Sequence, residues 1–184
     1  MPVAVRRVGV DALDVEALAQ AAGMDASAVD AHLAGDVLGL LGAAYLASAR
    51  ALEAGCDAAY RAAPTPREGV ERSIRWLLRT LADDPDRGLF AFVELARGPA
   101  ALVALREQIR RSSVGLWMVQ HAGNHPASPL PRSHFEMINN ATITLVADHV
   151  RQGTTDRLPD QFATVMTLFE CGVPEPPRLA VVGA

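Results

Sequence analysis

Lysine is missing from this 184-residue chain altogether, and all 17 of its basic side chains are arginine. This reads as a compositional habit of the genome rather than as chemistry. The placement of the arginines says more. Between Val8 and Ala49 there is no Lys or Arg, whereas Asp11, Asp14, Glu16, Asp25, Asp30 and Asp36 are all acidic. Phosphate contacts by Lys and Arg supply most of the affinity of nucleic-acid-binding modules, so a duplex is expected to repel this stretch. The formal net charge of −4 likewise predicts no general attraction to nucleic acid or to an anionic membrane. Cysteine is scarce: Cys56 and Cys171 stand alone, without metal-type spacing, which makes a reducing cytoplasm the expected compartment. Met1–Val10 carries Arg6 and Arg7 but no apolar core of signal-peptide length. No uninterrupted apolar run approaches the ~20 residues needed to span a bilayer, so no membrane partner is expected.

Aromatic residues make up only 5% of the chain, yet half of it is hydrophobic. The core must therefore be mostly Ala, Leu and Val, and alanine has the highest helix propensity. Helix punctuation is frequent. Asp14 caps a helix through Val15, Leu18 and Ala22 that Gly23 ends. Asp25 caps a short one, Ala26 to Leu33, which Gly35 breaks, and Asp36 starts a long one from Val37 to about Ala54. Thr65-Pro66-Arg67-Glu68 is a capping box with Pro at the first helical position, and Val70, Ile74, Leu77, Leu78 and Leu81 follow at helical spacing. Asp84-Pro85 opens a helix carrying Leu89, Phe92, Val93 and Leu95. Gly98-Pro99 begins one that reaches about His121, and a Pro-rich loop covers Gly123–Pro131. A helix from about Ser133 to Gln152 ends at Gly153, and the last runs from Leu158-Pro159 to near Gly172, followed by an extended Pro174, Pro176, Pro177 tail. No segment shows convincing strand alternation. The expected fold is all-α, with eight to nine helices: a small three-helix unit over residues 1–47 and a helical bundle over residues 48–184.

Residues Val15 to Met24 read Val-Glu-Ala-Leu-Ala-Gln-Ala-Ala-Gly-Met, and Val29, His32, Leu33, Leu38 and Tyr45 follow. In these residues, and in helix order and length, the chain resembles the TetR family of bacterial one-component regulators. That resemblance implies an N-terminal helix-turn-helix and a C-terminal ligand-binding and dimerisation bundle. Any retained DNA contacts would fall on Arg6, Arg7, Ser27, His32 and Arg50, with His32 mainly structural. The chain departs from the family where DNA would be touched. Asp30 stands where an aromatic residue is usual, and Asp36 stands where a Lys is usual. Both put a carboxylate where a phosphate would sit. The helix Ala26–Ala31 offers base edges only Ser27 besides Asp30, whereas direct readout leans on Arg, Asn and Gln. Met1–Leu13 is expected to be too short to supply the family's first helix in full. The expectation is loss of ordinary operator binding. The alternative, an ordinary ligand-responsive repressor with Arg6 and Arg7 in a minor-groove arm, stays open.

By the same resemblance, Phe135–Gln152 and Asp160–Cys171 form a homodimer face, with Ala141, Leu145, Thr164, Met166 and Leu168 small or apolar enough to pack there. The ligand pocket is expected among Trp76, Phe90, Phe92, Trp117, Met118, Phe135, Met137 and Asn139, although plain core packing accounts for any single one of them. His121, His125 and His134 flank the Pro-rich loop and are the candidate catalytic residues, since histidine serves as a general base near neutral pH. His121 and His125 have i, i+4 spacing, but Gly123 and Pro126 interrupt the helix, so no metal and no other cofactor are expected. The functional expectation is a homodimer that binds a small, largely apolar or aromatic organic molecule. It would act as a ligand-binding accessory protein or as an enzyme on a natural-product-like substrate.

Overall fold

Five short polar side chains start five helices by accepting a hydrogen bond from a backbone N–H that the first turn leaves without a partner. Asp14 accepts from Ala17 N at 2.8 Å, Asp25 from Ser27 N at 2.9 Å, Asp36 from Gly39 N at 2.7 Å, Thr65 Oγ1 from Glu68 N at 3.3 Å and Asp84 from Arg87 N at 3.0 Å. The Thr65 box is closed differently from the usual motif: the Thr65 hydroxyl lies 3.4 Å from Glu68 Oε1. The computed structural model describes residues 9–10, 12–33, 36–124 and 130–170, and the following concerns those. Arg6, Arg7, Asp11, Gly35, His125, Pro126, Cys171, Gly172 and the Pro174–Pro177 tail lie outside them.

The described chain is all-α, with eight α-helices and no strand. They are α1 (Val15–Ala22), α2 (Ala26–Leu33), α3 (Val37–Arg61), α4 (Pro66–Asp83), α5 (Pro85–Gly88), α6 (Ala100–Asn124), α7 (Arg132–Gln152) and α8 (Phe162–Glu170). Gly23 and Gly153 close α1 and α7 at φ 66° and 67°, a left-handed geometry that favours glycine.

Four boundaries differ from the sequence expectation. Helix α3 continues past Ala54 to Arg61. The segment after Asp84 is not one regular helix: α5 gives way to a π turn, Leu89–Val93, and then a 3₁₀ turn, Glu94–Ala96. Across Gly98-Pro99 the chain axis then swings by 117° into α6. Helix α6 runs through Gly123 to Asn124, so Gly123 does not interrupt it. The last expected helix is split, with a 3₁₀ turn over Thr155–Gln161 preceding α8, and Pro159 sits inside that turn, where it cannot donate an α-type bond.

Two apolar cores result, and α3 belongs to both. The first gathers Leu18, Val29, Leu41 and Tyr45 from the N-terminal helices with Phe90, Leu95 and Leu102. The second gathers Leu52 with Leu78 and Leu81 of α4, Ile138 and Val146 of α7, Leu158, and Val165 and Phe169 of α8. Helix α3 crosses residues 47 and 48 without a break. It is also the one described helix long and apolar enough, by length and composition, to cross a membrane, with a mean hydropathy of 1.3 over the relevant window. The core helix of a globular domain meets the same criterion; in α3, Leu41, Tyr45, Ala49 and Leu52 are buried, and 17% of that window is buried in all.

Helices α3 and α4 approach closely because glycine leaves room for rings. A Cβ at Gly55 would lie 2.0 Å from the Trp76 ring, and one at Gly69 would lie 2.7 Å from the Tyr60 ring. At Gly115, by contrast, a Cβ would meet nothing within 4 Å. Gly55→Ala is therefore expected to destabilise the protein by about 1–3 kcal/mol through forced repacking. Gly115→Ala is expected to stabilise it by about 0.5–1 kcal/mol through helix propensity. Urea unfolding of the two variants checks both signs.

Candidate functional site

Side chains three, four and seven residues apart share one face of a helix, and three such faces converge on a partly open cavity of about 110 Å³. Helix α3 supplies Tyr45, Ala49, Leu52, Glu53 and Cys56; α6 supplies Arg106, Ile109, Arg110, Ser113, Leu116 and Trp117; α7 supplies Asn139, Thr142, Ile143 and Val146. Leu77 and Leu81 of α4 complete the apolar side, and the π turn adds Ala91 and Phe92. That turn has cavity on one side and core on the other: Phe90 is 1% exposed and meets the Tyr45 ring edge-on at 6.3 Å.

The polar groups on the wall fall into two sets. One set is already paired. Arg110 is held bidentately by Glu107, with both bonds at 2.7 Å, and its Nη1 lies 3.5 Å from Asn140 Oδ1. That pairing holds the Glu107 carboxyl down to about 2, first through the Arg110 hydrogen bond. Ser113 Oγ has two acceptors within reach, Glu53 Oε1 at 3.2 Å and Ile109 O at 3.3 Å, and Cys56 Sγ lies 3.9 Å from Ser73 O. The other set is not paired. Asn139 Nδ2 and Thr142 Oγ1 are buried without a hydrogen-bond partner, although their residues are only 6% and 5% exposed. Arg106 makes no ion pair among the described residues, and its charge acts on the Tyr45 hydroxyl. Burial pushes Tyr45 up to about 12 and Cys56 up to about 11, with Glu53 adding to both shifts. Both therefore stay neutral at physiological pH, Tyr45 as a phenol and Cys56 as a thiol, and neither is an activated nucleophile.

The structure distributes the sequence-predicted residues unevenly. Phe92, Trp117 and Asn139 line the cavity. Trp76 instead packs on Gly55. Phe90 and Phe135 are core residues, each 1% exposed. Met118 is half-buried off the cavity wall, and Met137 is 54% exposed on α7. None of the described histidines lines the cavity. His121 and His134 both sit edge-on to the Phe135 ring, at 5.3 and 5.7 Å, and His134 Nε2 is buried without a partner. His149 Nδ1 instead lies against Thr154 at the end of α7. No group of three or more His, Cys, Asp or Glu among the described residues could hold a metal ion.

At the N-terminal unit, Asp14, Glu16, Ser27 and Asp30 line one shallow surface concavity, so three carboxylates face solvent together there. The Ser27 hydroxyl is taken up by Asp25, and His32 falls on α2. Arg50 is exposed on α3, in a surface groove it shares with Glu53 and Asp57.

The residues that sequence reasoning missed are Glu53, Cys56, Arg106, Arg110, Ser113 and Thr142. Their signal was present: polar side chains at i, i+3, i+4 or i+7 on faces that are otherwise apolar. Compared with protein-family models, curated proteins and solved structures, the chain finds no match in any of the three.

Two outcomes follow from this geometry. A buried hydroxyl without a partner costs about 1–3 kcal/mol, so Thr142→Val is expected to raise the unfolding free energy of the unliganded protein by roughly 1 kcal/mol in urea titrations. Raising a thiol from 9 to about 11 cuts its thiolate fraction at pH 8 by about 100-fold. In a Cys171→Ser background, Cys56 is expected to react with iodoacetamide at pH 8 about 100-fold more slowly than a free thiol, with the rate climbing towards pH 11. The neutral thiol's contribution to stability is complete below pH 9 and is lost as pH rises through 11, which alkaline unfolding curves read directly.

Proposed function

We propose that this chain is a small-molecule-binding protein of TetR-like design, acting as a homodimer, whose working part is the bundle cavity rather than the N-terminal helix pair. One observation carries the reading: Asn139 Nδ2 and Thr142 Oγ1 are buried without partners on the wall of an otherwise apolar cavity. Ligand sites combine apolar walls with a few placed polar groups, and buried polar groups are otherwise almost always satisfied. Between a binding protein and an enzyme, the cavity favours binding, because no described histidine reaches it and its thiol and phenol are held neutral. The exposed side of α7, with Met137 54% exposed and Ala141 and Leu145 half-buried, is the surface offered to a second copy. Loss of operator binding is supported by the carboxylates of Asp14, Glu16 and Asp30 on one face of α1 and α2.

A ligand-responsive repressor is the second reading. It is favoured by the intact capped helix, Gly23 turn and following helix of α1 and α2.

A cavity of about 110 Å³ calls for compact probes, since an engineered cavity of about 150 Å³ accepts benzene. Toluene, phenol, benzamide and benzoate are to be titrated while following Tm and tryptophan fluorescence. At least one is expected to raise Tm saturably and to change the emission, with both effects lost in Ala49→Leu, which fills the cavity. If no probe moves either signal, the binding reading falls. Sedimentation velocity is expected to give a dimer. Fluorescence anisotropy against duplex DNA from upstream of the protein's own gene is expected to show no sequence-selective binding, even at low salt. Tight, salt-steep, selective binding would establish the repressor instead.

A further inference from the structure

The unmet groups of the cavity also specify the chemistry of its occupant, an inference that rests on the binding reading above. We infer that the cavity takes a compact organic acid, with its carboxylate held by Arg106, Asn139 and Thr142 and its apolar body against Leu52, Leu81 and Phe92.

The argument counts donors and acceptors. The two buried polar wall atoms that lack a hydrogen-bond partner, Asn139 Nδ2 and Thr142 Oγ1, are a donor and a group that can act as one. Asn139 Nδ2 and Arg106 can only donate, and the Thr142 hydroxyl donates once it meets an acceptor. The wall's one carboxylate, Glu53, has its Oε1 within 3.2 Å of the Ser113 hydroxyl. What is missing is therefore an acceptor, and a carboxylate brings two oxygens able to accept several bonds.

Charge points the same way. The wall carries two guanidinium groups and one carboxylate. Arg110 is neutralised from outside the wall by its bidentate Glu107 partner. Arg106 has no such partner among the described residues, and Tyr45 beside it, pushed up to about 12 by burial, is an uncharged phenol at neutral pH. A cationic ligand would meet the Arg106 guanidinium, with Glu53 as the one wall carboxylate to offset it. A neutral one would leave Arg106 unpaired in a half-buried site, whereas guanidinium–carboxylate bonds are among the strongest hydrogen bonds available. Size sets the last limit: one ring or a short branched chain fills about 110 Å³.

The test compares near-isosteric single-ring compounds by isothermal titration calorimetry on the full-length protein: benzoate, benzamide, benzylamine and toluene. Benzoate is expected to bind at least about ten-fold more tightly than benzamide, as one charge-assisted bond implies, and benzylamine is expected not to bind. Arg106→Gln is expected to lower benzoate affinity at least about ten-fold, to about the benzamide level, and to lower benzamide affinity less. Arg106→Lys is expected to retain part of the preference, and Asn139→Leu to weaken benzoate without creating affinity for benzylamine. If benzamide or toluene binds as well as benzoate, or if Arg106→Gln lowers all probes alike, the acid inference is wrong and the binding reading survives. If none of the four binds, the acid inference is wrong, and if phenol also leaves Tm and emission unchanged, the binding reading falls with it.

Discussion

The face of α3 that carries Tyr45, Ala49, Leu52 and Cys56 is the constraint on which the other elements depend. Its upper part belongs to the N-terminal core, its lower part to the core built with α4, α7 and α8, and its middle is the cavity wall. One unbroken 25-residue helix therefore couples the packing of α1 and α2 to the packing of the bundle. The surface ion pairs are a minor influence by comparison. Most are i, i+3 or i, i+4 pairs within one helix, exposed at one or both ends, a class worth a few tenths of a kcal/mol each. What holds α3 in register is steric fit against α4, where Gly55 and Gly69 admit the rings of Trp76 and Tyr60. A cavity can persist beside such a contact because the glycine–ring seams, rather than cavity-facing side chains, set the distance between the helices.

Local chemistry was legible in the sequence and spatial chemistry was not. The caps at Asp14, Asp25, Asp36, Thr65 and Asp84 and the glycine stops at Gly23 and Gly153 are decided within four or five residues, and a linear reading finds them. The end of α3 was misjudged because Gly55 looks like a stop; its reason is the Trp76 ring, which lies 21 positions further on. The π and 3₁₀ turns over Leu89–Ala96 escaped because their residues have an ordinary helical pattern, and only packing selects the wider turn. At the candidate site, large aromatic residues were a fair guide to burial but not to which side of a helix they bury. Phe92 reached the cavity while Phe90, two residues earlier, went to the core. Arg106, Ser113 and Thr142 were overlooked because a lone polar residue on a helix reads as solvated until the opposite helix is in place.

A chain of rings links the cavity to the far end of the bundle. Trp117 on the cavity wall is 5.2 Å from Phe169 of α8, Phe169 is 6.5 Å from Phe135 of α7, and Phe135 holds His121 and His134 at its edges. These contacts place the histidines in the supporting structure behind the site. They account for conspicuous histidines around the Pro-rich loop without giving those histidines a place on the cavity wall.

The π turn at Leu89–Val93 has a consequence for how this cavity can change over generations. Such a turn accommodates one residue more than the α-helical ladder allows. Loss of a single codon within it would remove the wide turn and rotate the preceding residues against the following ones by about 100°. Phe92 and Ala91 could not then face the cavity while Phe90 and Leu95 kept their places in the N-terminal core. The lining of the site and the seating of α1 and α2 are thus inherited together. A lineage that reshapes the cavity at this turn must also renegotiate the packing of its N-terminal helices.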